Sequence, residues 1–174
     1  MIIANYMAQF TDLEQVWLVI SPQNPFKSKE SLANDYDRLH LVELAIGDNI
    51  MLKASNIEFH LPKPSYTIET LTYLKEKYPQ HTFALIMGGD NLLSLPKWKN
   101  AEIIMRDYDI YVYKRRSIAE VPGHSLQSNI FICDAPLLDI SATFIRQCLK
   151  ENKSIQYLVP DAVYKYLSQS NLYR

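Results

Sequence analysis

Short strand-like and helix-like segments alternate along nearly the whole of this chain, and the alternation restricts the fold more than any single motif does. Gln15–Ile20 (Q-V-W-L-V-I) and Phe83–Met87 are short apolar runs, one stopping at Ser21-Pro22 and the other at Gly88-Gly89. Such runs suit strands buried on both faces of a parallel sheet. Asp109–Tyr113 and Ile130–Cys133 read as further strands, and Ile50–Lys53 and Ile57–His60 as short ones. The early helical segments are Ile2–Phe10 and Asn34–Ile46, the latter with Leu39, Val42 and Ile46 on one stripe. Thr67–Tyr78 follows, with Ile68, Leu71 and Leu74 inward and Pro79 as its stop. Ala101–Arg106, Ala142–Lys150 and Asp161–Ser168 complete the set, the last with Pro160 at its start. This order predicts an α/β fold, a parallel sheet flanked by helices. With 174 residues and no repeat or linker, residues 1–174 are expected to form a single domain.

In open parallel sheets, ligands bind beyond the carboxyl ends of the strands. Polar clusters fall at those places here. S-P-Q-N-P-F-K follows Ile20, G-G-D-N follows Met87, K-R-R-S follows Tyr113, and D-I-S-A-T-F-I-R comes soon after Cys133. All four are expected on one edge, where they can converge on a phosphate-rich ligand.

Asp139–Arg146 is the most telling of them. Ser141, Thr143 and Arg146 open a helical segment whose Ile145 and Leu149 recur four residues apart. A helix start offers free backbone N–H groups and the positive end of the dipole. Two hydroxyls and a guanidinium added there make a pocket for phosphate. The plainer reading is a Ser or Thr cap followed by a surface arginine. Each of the other clusters also has two readings. Lys27, presented by a loop stiffened by Pro22 and Pro25, reaches a phosphate or only solvent. Ser65-Tyr66-Thr67 either binds a polar substrate head or caps the helix that follows. Gly88-Gly89-Asp90 either admits a ligand close to the backbone, with Asp90 on a ribose hydroxyl, or turns the chain with Asp90 as a cap. Trp98 stacks on a flat ring or fills the core. Of Arg115 and Arg116, one reads as a surface charge and the other as facing the crevice.

Composition excludes several classes. Net charge is −1, which gives no field for holding nucleic acid or an anionic membrane. No apolar run is long enough to span a bilayer, and Met1–Phe10 lacks the basic opening of a secretory signal. Cys133 and Cys148 have no metal-like spacing and suggest a reducing, cytoplasmic setting, and the four histidines are scattered. Four glycines cannot assemble a G-x-G-x-x-G or a Walker A loop, which argues against a nicotinamide dehydrogenase.

Taken together, six segments resemble the bacterial-type nicotinate-nucleotide adenylyltransferases of the nucleotidyltransferase superfamily. They are S-P-Q-N-P-F-K, D-Y-D-R-L-H-L-V-E-L-A-I, S-Y-T-I-E-T-L, G-G-D-N-L-L-S-L-P-K-W, V-Y-K-R and D-I-S-A-T-F-I-R, in the family's order. S-Y-T-x-x-T-L and G-x-D-x-L-x-x-L-x-x-W separate this family from its pantetheine-phosphate and cytidylyl relatives. The resemblance implies a Rossmann-like nucleotidyltransferase fold. It also implies transfer of AMP from ATP to nicotinate mononucleotide, giving nicotinate adenine dinucleotide and pyrophosphate with Mg²⁺. By position, Lys27 and Arg38 would contact substrate phosphates. Tyr66 and Thr67 would recognise the nicotinate head, with Trp98 stacked on its ring, and Arg115 would help to bind substrate. Gly89 and Asp90 would line the nucleotide site, and Ser141, Thr143 and Arg146 would hold the ATP β- and γ-phosphates. The usual S-S-T has Ala142 as its second residue here.

One departure is large. The family opens with a strand and an H-x-G-H motif whose histidines stabilise the α-phosphate, and no H-x-G-H occurs in these 174 residues. Met1–Asn5 resembles the stretch just after that motif. The expectation is therefore an internal start in a longer reading frame, with the first central strand missing and none of the catalytic residues retained. Unpaired strand edges would follow. Two competing readings stand beside the adenylyltransferase: a non-catalytic nucleotide-binding protein, and a pantetheine-phosphate type of enzyme. The first accounts for the missing histidines. Tyr66, Thr67 and Trp98 count against both.

Overall fold

The computed structural model describes residues 1–23, 33–114, 128–136 and 138–173, so Lys27, Arg115 and Arg116 lie outside the described residues. In chain order the first elements are α1 (Ile2–Phe10), β1 (Val16–Val19), α2 (Asp35–Ile46), β2 (Leu52–Ser55) and a 3₁₀ turn (Ile57–His60). Then come α3 (Thr67–Lys77), β3 (Leu85–Gly88), α4 (Gly89–Ser94), a second 3₁₀ turn (Leu95–Lys97) and α5 (Ala101–Asp107). Last are β4 (Ile110–Tyr113), β5 (Ile130–Cys133), α6 (Ala142–Lys150) and α7 (Asp161–Gln169). The fold class is α/β, and every strand pairing is parallel, as the alternation predicts. Among the described residues the strands are divided between two sheets, β1-β2 and β3-β4-β5.

The chain forms two compact units, Ile3–Pro64 with Leu138–Arg174, and Ser65–Leu137. In the first unit, β1 and β2 run in register from Val16 beside Leu52 to Val19 beside Ser55. The paired Trp17 and Lys53 make a cation–π contact, with Nζ 3.8 Å from the ring centroid. The core of this unit gathers Cys148, Leu149, Ile155, Val163 and Leu167, with Leu41, Leu44 and Ala45 of α2 packed against it. No residue of α2 is fully buried: Leu39, Val42 and Ile46 of the expected stripe are half-buried, as are Leu41, Leu44 and Ala45, and the helix contacts both β2 and α7. Gly47 ends α2 at φ +59°, a left-handed conformation that suits glycine.

In the second unit, Leu85, Ile110 and Ile130 stand side by side across the sheet. Leu95, Ile104, Ile110 and Val112 are fully buried, and Leu92 is 1% exposed. Ile68, Leu71 and Leu74 of α3 face inward as expected.

Two segments differ from expectation. Ile57–His60 is a 3₁₀ turn and not a strand. Phe59 N–H bonds the Asn56 carbonyl at 2.9 Å and Leu61 N–H that of Glu58 at 3.2 Å, so the backbone is satisfied locally rather than by a neighbouring strand. The alternating I-E-F-H fits either form. Gly88-Gly89-Asp90-Asn91, expected as a close backbone approach or a turn before the next helix, is already helical from Gly89, as the start of α4, with Leu92 and Leu95 buried in the core.

Candidate functional site

Three of the expected substrate contacts, Tyr66, Thr67 and Trp98, belong to the second unit. Tyr66 sits at the N-cap of α3 with extended backbone, and its side chain makes no capping bond. Neither Ser65 nor Thr67 is the cap that the sequence allows for. Ser65 is buried, and its Oγ has no hydrogen-bond partner among the described residues. Tyr66 and Trp98 both pack against the core built on Leu92, Leu95 and Ile104. Trp98 is half-buried, which leaves part of the indole free for stacking. Lys99 extends its Nζ over the Tyr66 ring, 4.5 Å from the centroid, and donates to Glu69 Oε1 at 2.5 Å. That hydrogen bond is the main cause that holds the Lys99 ammonium above its ordinary pKa.

The carboxyl ends of β3 and β4 lie side by side in this unit, with Gly88 beside Tyr113. Gly89 is buried at the start of α4, and Asp90 is exposed in its first turn. The N-cap position of α4 is held by Gly88 rather than by Asp90. Lys114, one residue past β4, pairs with Asp134, one residue past β5, at 2.6 Å.

The first unit carries Ser141, Thr143, Arg146 and Arg38. Ser141 is the N-cap of α6, its Oγ accepting the Phe144 N–H at 3.1 Å. Thr143 and the half-buried Arg146 stand one turn apart, with Arg146 Nη2 3.4 Å from Thr143 Oγ1. No acidic residue occupies the first turn of α6, so the positive end of its dipole is not offset there. The capping bond and phosphate binding are compatible: the Ser141 hydroxyl accepts from the backbone and still has a proton to donate.

Arg38 lies one turn into α2. Its Nη2 donates to the Ser21 carbonyl at 2.8 Å, just past the end of β1, and to Asp35 Oδ1 at 2.7 Å. Lys63 Nζ approaches the other oxygen of the same carboxylate at 3.6 Å. The Arg38 side chain is 17% exposed, and its Nε is buried without a partner among the described residues.

Comparison with known proteins places this arrangement. Residues 1–148 match the cytidylyltransferase-like family. The chain is 51% identical over 177 residues to a "Probable nicotinate-nucleotide adenylyltransferase" of Flavobacterium johnsoniae, and the match covers all of this chain (100%) and 91% of that protein. Against a protein of the same description from Bacteroides fragilis it is 42% identical over 167 residues, covering 96% of this chain and 83% of the other. The chain belongs to the nicotinate-nucleotide adenylyltransferase family. Its fold is similar to that of Plasmodium falciparum nicotinic acid mononucleotide adenylyltransferase complexed with NaAD. The TM-score is 0.77 at 17% identity, covering 98% of this chain and 88% of that one.

Within this family frame, the sequence reading omitted Lys99, Asp35 and Lys63. Lys99 directly follows the W of the family's signature, which is the one local hint. Asp35 stands three residues before Arg38 on α2, a helical spacing that places the two side chains together. Lys63 lies far away in sequence, and only the fold brings it to the same carboxylate.

Proposed function

We propose that this chain transfers the adenylyl group of ATP to nicotinate mononucleotide, giving nicotinate adenine dinucleotide and pyrophosphate. One observation carries the reading. The two segments most specific to the family, at Tyr66 and at Trp98, are folded onto the same core with a lysine over the Tyr66 ring. That pairing gives aromatic surface for a flat ring, and the Lys99 ammonium, which already donates to Glu69, keeps further N–H groups to offer a carboxylate.

In this reading a phosphate oxygen of nicotinate mononucleotide attacks the α-phosphorus of ATP. The bond to the bridging oxygen breaks and pyrophosphate leaves. The protein's part is positioning and charge stabilisation. Tyr66 and Thr67 hold the nicotinate head, and Trp98 stacks on its ring. Arg38 and Lys27 hold substrate phosphate, and Arg115 adds a further contact. Gly89 lets the nucleotide approach the backbone, and Asp90 takes a ribose hydroxyl. Ser141, Thr143 and Arg146 grip the β- and γ-phosphates at the start of α6.

Those last three are anion-binding groups and suit phosphate rather than a metal. Among the described residues, no three His, Cys, Asp or Glu side chains gather as a cation site. Mg²⁺ enters the proposal with ATP, held by phosphate oxygens, as it commonly is.

The test is chromatographic detection of nicotinate adenine dinucleotide from ATP, Mg²⁺ and nicotinate mononucleotide, alongside calorimetry of nicotinate mononucleotide binding. Micromolar-to-millimolar binding of nicotinate mononucleotide is expected, with product formed slowly for want of the H-x-G-H histidines at the α-phosphate. A folded chain that binds ATP but not nicotinate mononucleotide would overturn the assignment in favour of a nucleotide-binding protein.

A further inference from the structure

The Asp35 carboxylate is placed between two cations. One oxygen meets Arg38 Nη2 at 2.7 Å and the other meets Lys63 Nζ at 3.6 Å. The same Arg38 nitrogen also donates to the Ser21 carbonyl at 2.8 Å. Nη2 carries two hydrogens, and these two acceptors account for both. The guanidinium is thus tied to helix α2 on one side and to the end of β1 on the other. Left alone, an arginine side chain samples many rotamers, and a phosphate that binds it must first halt that motion.

We propose that Asp35 is a positioning residue for substrate phosphate, acting through Arg38 and, at its second oxygen, through Lys63. The inference rests on the phosphate role given to Arg38 above. The charge count supports it. Two cations share one carboxylate, so a surplus positive charge is left for a phosphate. The remaining N–H groups of Arg38 are the ones not spent on Ser21 and Asp35. The sign of the effect is diagnostic. A carboxylate that was merely near the phosphate would repel it, and its removal would tighten binding. A carboxylate that sets the arginine does the opposite.

The experiment is calorimetry of nicotinate mononucleotide with the full chain at low salt, for wild type, Asp35→Ala, Asp35→Asn, Asp35→Glu, Arg38→Ala and the Asp35→Ala/Arg38→Ala double variant. Circular dichroism checks that each is folded. Asp35→Asn keeps the shape of the side chain and a good residue at the helix start if Asp35→Ala folds poorly. Both neutral variants are expected to weaken binding about fivefold and Arg38→Ala about tenfold, with the double variant no weaker than Arg38→Ala alone, because coupled residues do not add. Asp35→Glu should bind within about twofold of wild type, since the longer acid still reaches one helical turn. Unchanged or tighter binding in the neutral Asp35 variants, with Arg38→Ala still weak, would overturn the positioning role and leave the Arg38 assignment intact. So would additive losses in the double variant, which mark two independent effects. Unchanged binding in Arg38→Ala would overturn the assignment of Arg38 itself, and the positioning role with it.

Discussion

The backbone N–H of Trp98 donates to the carbonyl of Leu95 at 2.9 Å, closing the 3₁₀ turn that sets the indole in place. Leu95 is fully buried, so core packing holds the turn together with its hydrogen bond. Leu95→Ala should cost about 3 kcal/mol of stability, in the range for a large-to-small change that leaves a cavity. Urea unfolding measures it. A loss below about 1 kcal/mol would mean that the site collapses around the gap and that Leu95 does not hold the turn.

Ser141 has two tasks that substitution can separate. Ser141→Ala removes the bond to Phe144 N–H and should lower stability by about 1 kcal/mol. Ser141→Asp caps as well as serine does and should restore that stability, yet its charge repels the phosphates of ATP. Stability restored with ATP affinity lost is the expected pair of results. An aspartate variant that binds ATP as tightly as wild type would reduce Ser141 to a cap.

Two tryptophans, Trp17 and Trp98, supply the fluorescence of the chain. Trp17 is engaged by Lys53 and donates its Nε1–H to Gln15 at 2.6 Å. A Trp17→Phe variant therefore isolates Trp98. Nicotinate mononucleotide should quench it saturably, through stacking on the half-buried indole. No change in emission, with binding confirmed by calorimetry, would take Trp98 out of the site.

At the end of α6, Lys153 and then Gln147 donate to the Glu151 carboxylate and hold its pKa below the ordinary 4.5. A carboxylate with a lowered folded pKa adds stability above its unfolded value and loses it as pH falls through the folded one. Lys153 is held above its ordinary 10.5, so its share persists until alkaline pH. Wild type should therefore exceed Glu151→Gln in thermal midpoint by a small, constant margin across neutral pH. The margin should close as pH drops below 4.5. A margin that survives at pH about 2 would show that charge on Glu151 is not its source.

Much of the fold was legible because its helices and buried strands carry clear periods. Ile68, Leu71 and Leu74 announce α3, and the I-Y-V-Y and I-F-I-C runs announce β4 and β5. Where the period was short or mixed, sequence misled. Four residues at Ile57 fit strand and turn equally. The candidate residues were chosen singly, from residue type and from the family's motifs. Their settings were not. Nothing in the order of residues says that Lys99 lies over Tyr66 or that Lys63 shares a carboxylate with Arg38, because those contacts depend on where loops return.

The first compact unit is assembled from both ends of the chain, with Leu41 and Leu44 resting on Cys148, Leu149 and Val163, whereas the second is one continuous stretch. On the ribosome this sets a timetable. Among the described residues, the continuous unit has all three strands of its sheet as soon as Cys133 has emerged. Helix α2, which carries Arg38, meets β2 early, but the side that rests on α7 stays uncovered until the later helices are made, and that interval is when a chaperone has most to shield.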